Sequence, residues 1–401
     1  MKKSILISLF SAYSLFMFSA GNIIDLSGKW NFAIDKNDIG TTEKWFSKII
    51  QDDVIQLPGS MTENLKGDDI TLDTKFTGSI YDSSWYYNPR MEKYRQPQNL
   101  KMPFWLTQNK HYVGVAWYQR TIDIPKNWSG SNVILFLEQP HFTSRVWVDN
   151  TEVGSQNSLT TPHVFDLTTF LKPGKHRLTI SVDNRMKDVD VGANSHSVTD
   201  HTQGNWNGIV GKMQLQARSL VHFDDIQVYP NVKNKTALVK ITVRNNLKNS
   251  FKGFVSLYLG SFNSDKAQMF APVRIPLNAA IGKTEMEYTI NFGDEMLTWD
   301  EFHPALYRMT LELQAGKQTD SRELQFGMRE ITIDGKYFYI NGRKTMLRGT
   351  VENALFPLTG YPPRDVASWE RVFRICKSYG LNHMRFHSYC PPEAAFIAAD
   401  I

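Results

Sequence analysis

The sequence predicts a mainly β chain: two β-sandwiches in tandem, then the start of a (β/α) barrel. Three observations carry that prediction. Across residues 22–220, short stretches alternating apolar and polar residues are punctuated by Gly, Pro, Asn and Asp, as sandwich strands are. Across residues 221–327, around seven such stretches fall within about 100 residues, which fits an immunoglobulin-like sandwich. From residue 328 the pattern changes to strand, helix, strand, helix, the repeat of a parallel barrel. At roughly 100–200 residues per domain, a chain of 401 residues has room for two or three domains.

The N-terminus reads as a secretory signal over residues 1–21. Lys2 and Lys3 form a positive start, residues 5–18 an apolar stretch, and Ser19 and Gly21 are small enough for cleavage before Asn22. The apolar stretch is too short to span a bilayer comfortably, which argues against a membrane anchor. No cysteine lies nearby for a lipid anchor. The expectation is a periplasmic or secreted protein with no membrane insertion after cleavage.

Composition is that of an ordinary globular chain. The net charge of +5 is mild and spread along the sequence, with no Lys/Arg run, so a polyanion such as nucleic acid is not an expected partner. Aromatic residues make up 12% of the chain, which suits sugar stacking as well as sandwich cores. Cys376 and Cys390 are the only cysteines, so no disulfide framework is indicated. Cys376 falls on an apolar helix face, and buried packing is the expectation for Cys390 as well. No cofactor is implied. The oligomeric state is left open.

In the first domain, residues 26–32, 115–125, 133–137, 144–148 and 176–182 read as strands. The stretch 115–125 alternates as if one face were buried, and Asp149-Asn150 suits a hairpin turn. Two loops hold unusual material. Tyr81-Asp82-Ser83-Ser84-Trp85-Tyr86-Tyr87-Asn88-Pro89 belongs to a long polar-aromatic insertion, and long insertions in compact domains often serve a site. Trp85 and Tyr86 could wall a substrate cleft, or could anchor the loop to the sandwich. Residues 194–203 include His196, Asp200 and His201, whose spacing fits no metal-ligand pattern. They read as a cleft loop or, more simply, a polar domain interface.

In the second domain, residues 223–230, 237–243, 253–259, 285–292 and 307–313 alternate as strands, and nothing resembles a catalytic group. The third segment opens with two short strands closed by Asp334-Gly335 and Asn341-Gly342 turns. An apolar run at 345–347 then leads to Glu352 and Asn353. Val366, Trp369, Phe373 and Cys376 share one helical face, Gly380 stands where a C-terminal cap glycine belongs, and a second apolar run ends in Arg385 and His387. Pro391-Pro392-Glu393 suits a new helix start. In a barrel the chemistry sits at strand ends, which here carry Glu352, Asn353, Arg385 and His387. A closed barrel typically needs about 250 residues, so the sequence predicts only its truncated start.

The run Gly380-Leu381-Asn382-His383-Met384-Arg385-Phe386-His387-Ser388-Tyr389-Cys390-Pro391-Pro392 resembles the first barrel motif of glycoside hydrolase family 2. That family includes β-galactosidases, β-glucuronidases and β-mannosidases. Asn382 and Arg385 match its motif in place, and His387 comes one residue earlier than the family histidine. Trp117-Tyr118-Gln119-Arg120, Val146-Trp147-Val148-Asp149-Asn150 and Asn205-Trp206-Asn207-Gly208-Ile209-Val210-Gly211 resemble the family's sugar-binding, galactose-binding-like jelly roll. Residues 299–307 and 326–331 resemble the end of its second domain and the entry to its barrel.

The resemblance implies a retaining enzyme acting on β-linked oligo- or polysaccharides. It implies that Arg385 orients the nucleophilic glutamate, with His387, Glu352 and Asn353 available to sugar hydroxyls. Retention needs two carboxyl groups about 5–5.5 Å apart. In the family both glutamates lie on later strands. Asp365, Glu393 and Asp400 fall at helix starts or on helices, so Glu352 is left without a partner. No catalytic acid, base or nucleophile is therefore assigned within this chain. The alternative is a non-catalytic carbohydrate-binding protein built on the two sandwiches.

Overall fold

The computed structural model describes residues 22–77, 84–102, 108–187, 195–200 and 202–401. The signal-peptide expectation and residues Tyr81, Asp82, Ser83, Asn194 and His201 lie outside the described residues.

The first domain is a sandwich of two antiparallel sheets. One orders Ile23–Asp25, Gly208–Arg218, Asn132–Pro140 and His163–Asp166, with Gly59–Ser60 also paired to Gly208–Arg218. The other orders Asp53–Leu57, Gly28–Asp35, Val115–Ile124, Gly174–Asp183, Thr143–Val148 and Thr151–Asn157. Between them lie Trp30, Phe32, Leu57, Tyr118, Leu135, Leu137, Val146, Ile180 and Leu215. The hairpin turn falls at Asp149-Asn150, where Asp149 takes a φ of +53° and Val148 pairs with Thr151.

The strand Val115–Ile124 differs from its expected one-sided burial. Its first five residues are all buried. Trp117 stands on the outer face and stacks on Trp147 at 4.9 Å, while Phe46 stacks on Trp147 at 5.3 Å. The segment around Trp45 and Phe46 thus covers the outer face with a second small core, which also holds Ala33, Ile50 and Val115.

The second domain is a seven-stranded sandwich. One sheet orders Val221–Asn231, Thr236–Asn245 and Gly282–Asn291, and the other Val273–Ala279, Phe251–Phe262, Leu306–Ala315 and Gln318–Phe326. Alternate residues such as Val239, Ile241, Val243, Val255, Leu257, Leu311 and Leu313 fill its core.

The third segment begins with three antiparallel strands, Ile331–Asp334, Tyr337–Ile340 and Arg343–Thr345, rather than two. The barrel strand consequently starts at Gly349 and runs to Glu352. Asn382 explains the break: its side-chain nitrogen donates to the Met346 carbonyl at 3.0 Å, and its oxygen accepts from the Arg348 amide at 2.8 Å. Gly349–Glu352 pairs in parallel with His383–Phe386, and the helix Val366–Ser378 makes the crossover. Asp365 caps that helix by accepting from the Ser368 amide at 2.8 Å. Gly380 ends it with a φ of +77°, a conformation that costs glycine nothing. Trp369 is fully buried among Phe373, Met384, Phe386 and alanines of the helix Glu393–Asp400. This is one β/α/β unit and a further helix, with no closed barrel among the described residues. No helix among them is long and apolar enough to cross a membrane.

Candidate functional site at the barrel strand ends

Strand alternation sorts the residues at the ends of the two parallel strands. Val351 pairs with Arg385, and Glu352 with Phe386. Successive side chains point to opposite faces, so Arg385 and Glu352 stand on opposite faces of the sheet. Met384 and Phe386 pack against the helices. Arg385 therefore projects from the face that a closed barrel would turn inward. It is exposed, with no ion pair among the described residues.

Glu352 lies on the helix side. Its carboxylate accepts from the Tyr389 hydroxyl and from the Ala354 amide at 2.9 Å. Burial raises its pKa above the ordinary carboxylate range, against the lowering pull of the Ala354 and Asn353 backbone. Asn353 is exposed at the strand end. His387 donates its amide to the Glu352 carbonyl at 2.8 Å, which extends the strand pairing by one residue.

The strand end is sealed by the first domain. Gln203 donates to the His387 carbonyl at 2.7 Å, and the Ser197 hydroxyl donates to the Ser388 carbonyl at 2.8 Å. The His196 and His387 rings lie 4.8 Å apart. The described part of the 194–203 loop therefore forms a polar interface between jelly roll and barrel. Asp200 is buried, and its carboxylate accepts from the Thr77 amide at 2.5 Å and the Asn205 amide at 2.9 Å. Trp85 is buried inside the insertion and donates to the Lys101 carbonyl at 2.7 Å, while Tyr86 packs edge-on against it at 4.7 Å. Cys390 is exposed rather than buried, because it follows the strand end onto the rim; Cys376 is half-buried.

Sequence reading missed the second half of this interface. Residues 359–364 lie along the jelly roll. Tyr361 donates to Glu63 at 2.8 Å and packs 5.5 Å from Trp206, itself stacked on His141 at 4.4 Å. Arg364 pairs with Glu138 at 3.1 Å, with side chains only 14% and 16% exposed. Burial lowers the Arg364 pKa and Glu138 opposes the shift. Pro362-Pro363, which mark a non-helical stretch next to these residues, were the one available signal.

The family model described as "Glycosyl hydrolases family 2, sugar binding domain" matches residues 23–218, and the one described as "Glycosyl hydrolases family 2" matches 221–329. The chain belongs to glycosyl hydrolase family 2. Among curated family relatives, a β-glucuronidase of Paenibacillus borealis is 25% identical, over 94% of this chain and 57% of the relative. A β-galactosidase of Thermoanaerobacter pseudethanolicus is also 25% identical, over 75% of this chain and 39% of the relative. The chain thus spans about half the length of these relatives. Among solved structures, a family 2 member from Bacteroides cellulosilyticus superposes with a TM-score of 0.68 at 16% identity, covering 94% of this chain and 44% of that one. A Bacteroides uniformis β-glucuronidase gives 0.68 at 18% identity, covering 94% and 41%. These likenesses establish the family 2 fold of the N-terminal portion.

Proposed function

We propose that this chain is the N-terminal portion of an exported β-glycosidase that acts with retention in carbohydrate catabolism. The observation that carries the reading is the register of the two barrel strands. It puts Arg385 of the family motif on the inward face, at the end of a parallel strand whose rim is held by the sugar-binding domain. An inward guanidinium near that rim suits the orientation and ionisation of a carboxylate on a neighbouring strand. Glu352 faces away and is already bonded to Tyr389, so the carboxylate pair would come from residues that follow Ile401 in a longer protein.

The test is turnover of nitrophenyl β-glucuronide and β-galactoside by the 401-residue chain and by a longer protein carrying the whole barrel. The short chain should be inactive and the longer one active. Turnover by the purified short chain that disappears in Glu352→Gln would overturn the reading.

A further inference from the structure

Positive charge gathers in one stretch of the first domain's insertion. Residues 84–102 of the insertion carry Arg90, Lys93, Arg95 and Lys101 against a single carboxylate, Glu92. Three of the five net positive charges of the chain therefore sit in nineteen residues.

These cations have different tasks. Arg95 faces inward and donates to the Trp85 carbonyl and, at 3.4 Å, to the Asn88 carbonyl, so it holds the insertion together. Arg90, Lys93 and Lys101 are exposed and make no ion pair among the described residues. Tyr87, three residues before Arg90, has 82% of its surface exposed; Arg90 and Lys93 are three apart on the 3-10 helix Pro89–Tyr94, where that spacing aligns side chains, and the Lys101 amide donates to the Tyr94 carbonyl at 2.9 Å. The Lys93 ammonium lies 4.8 Å from the Tyr94 ring, and an exposed aromatic ring near cations that meet no carboxylate among the described residues suits a polymer that offers both C–H faces and anionic groups.

The insertion is also rooted at the rim of the candidate site. Thr77, before it, exchanges hydrogen bonds with Asp200 at 2.5 and 3.1 Å and accepts from Asn205 at 3.2 Å. Gln108, after it, accepts from Thr62 at 3.0 Å. The loop that holds Thr77 is the same one that bonds the His387 and Ser388 carbonyls.

We propose that the exposed face of this insertion, Tyr87 with Arg90, Lys93 and Lys101, binds polyanionic glycan, the chain of a uronate- or sulfate-bearing polysaccharide, beside the cleft. The inference rests on the glycosidase reading only for the choice of glycan as the polymer.

Native gels cast with polygalacturonate, dextran sulfate or neutral dextran test it on the 401-residue chain. Retardation by polygalacturonate, dextran sulfate or both, absent in neutral dextran, is expected, and the probe that retards identifies the anion. Arg90→Ala/Lys93→Ala/Lys101→Ala should weaken the apparent Kd by about tenfold, from three exposed charge contacts. Lys233→Ala/Lys248→Ala/Lys252→Ala, which removes equal charge from exposed positions on the second sandwich, should bind as the parent does. The effect should fade at about 0.5 M NaCl, where charges are screened within a few ångströms. No retardation by either anion, equal retardation of the first triple variant, or oligothymidylate binding as tight as glycan binding would overturn the proposal. Because no turnover is read, loss of this surface leaves the glycosidase reading standing, and loss of activity in the longer protein leaves this result intact.

Discussion

Arg385 and Glu352 sit on adjacent strands, yet alternation gives them different environments and different expected behaviour. In a protein carrying the whole barrel, Arg385→Ala should lower kcat far more than it raises KM for a neutral sugar. A guanidinium that holds a nucleophile ionised and in line acts in the transition state more than in substrate binding. The acidic limb of the pH–rate profile should move to higher pH, and Arg385→Lys should recover only part of the rate, since an ammonium lacks the planar fork. An unchanged kcat and acidic limb with a higher KM would make Arg385 a substrate-binding residue instead. Glu352 makes the opposite kind of demand. Burial raises its folded pKa above the ordinary 4.5, so the fold favours the neutral carboxyl. The associated stability is full below 4.5 and is lost as pH rises through the folded value. Glu352→Gln mimics the neutral form, so its urea midpoint should gain on the parent's between pH 4 and pH 7. A gap that narrows over that range would show that the ionised form is the one the fold prefers.

Among elements, the segment 359–364 joins the barrel unit to the jelly roll through the Tyr361 and Arg364 side chains. The Glu138–Arg364 pair is the costliest part of it to break, because neither charge has easy access to water. Arg364→Ala should lower unfolding stability by roughly 3 kcal/mol, much of it from the stranded Glu138 carboxylate. Glu138→Gln/Arg364→Met should cost clearly less than the single change, and chemical denaturation of the three proteins checks the order. Such contacts were out of reach of sequence reading. Strands are visible as local alternation, and the helix Val366–Ser378 as Val366, Trp369 and Phe373 on one face, because both signals live within ten or so residues. Glu138 and Arg364 are separated by 226 positions and carry no local mark of their pairing. The same limit hid the second core under Trp45 and Phe46: the outer-face tryptophans Trp117 and Trp147 look like alternation errors until the covering segment is placed. Asn382 was legible as a motif residue, but its task as a clamp on Met346 and Arg348 needed the fold.

At the scale of the molecule, the barrel unit is tied to both sandwiches. Besides the jelly-roll contacts, Trp299 donates to the Asp400 carbonyl at 2.6 Å, and Asn341 donates to the Trp299 carbonyl at 2.9 Å. The two strands Ile331–Asp334 and Tyr337–Ile340, held at their base by Asn341, are nonetheless largely exposed along their length. That exposure makes the hairpin the weakest-held part of the unit. Trypsin should cut first at Lys336, Arg343 or Lys344, before it reaches Arg371, Arg374 or Lys377 in the crossover helix. Early cleavage in that helix with the hairpin intact would show that the docking contacts do not hold in solution. Gln203 and Ser197 grip the strand end by its carbonyl oxygens, at His387 and Ser388, and not by its side chains. Every amino acid supplies that oxygen. These two hydrogen bonds thus do not depend on which side chain stands at 387 or 388; what ties those positions to their present residues is the His387 ring against His196 and the φ of +62° at Ser388.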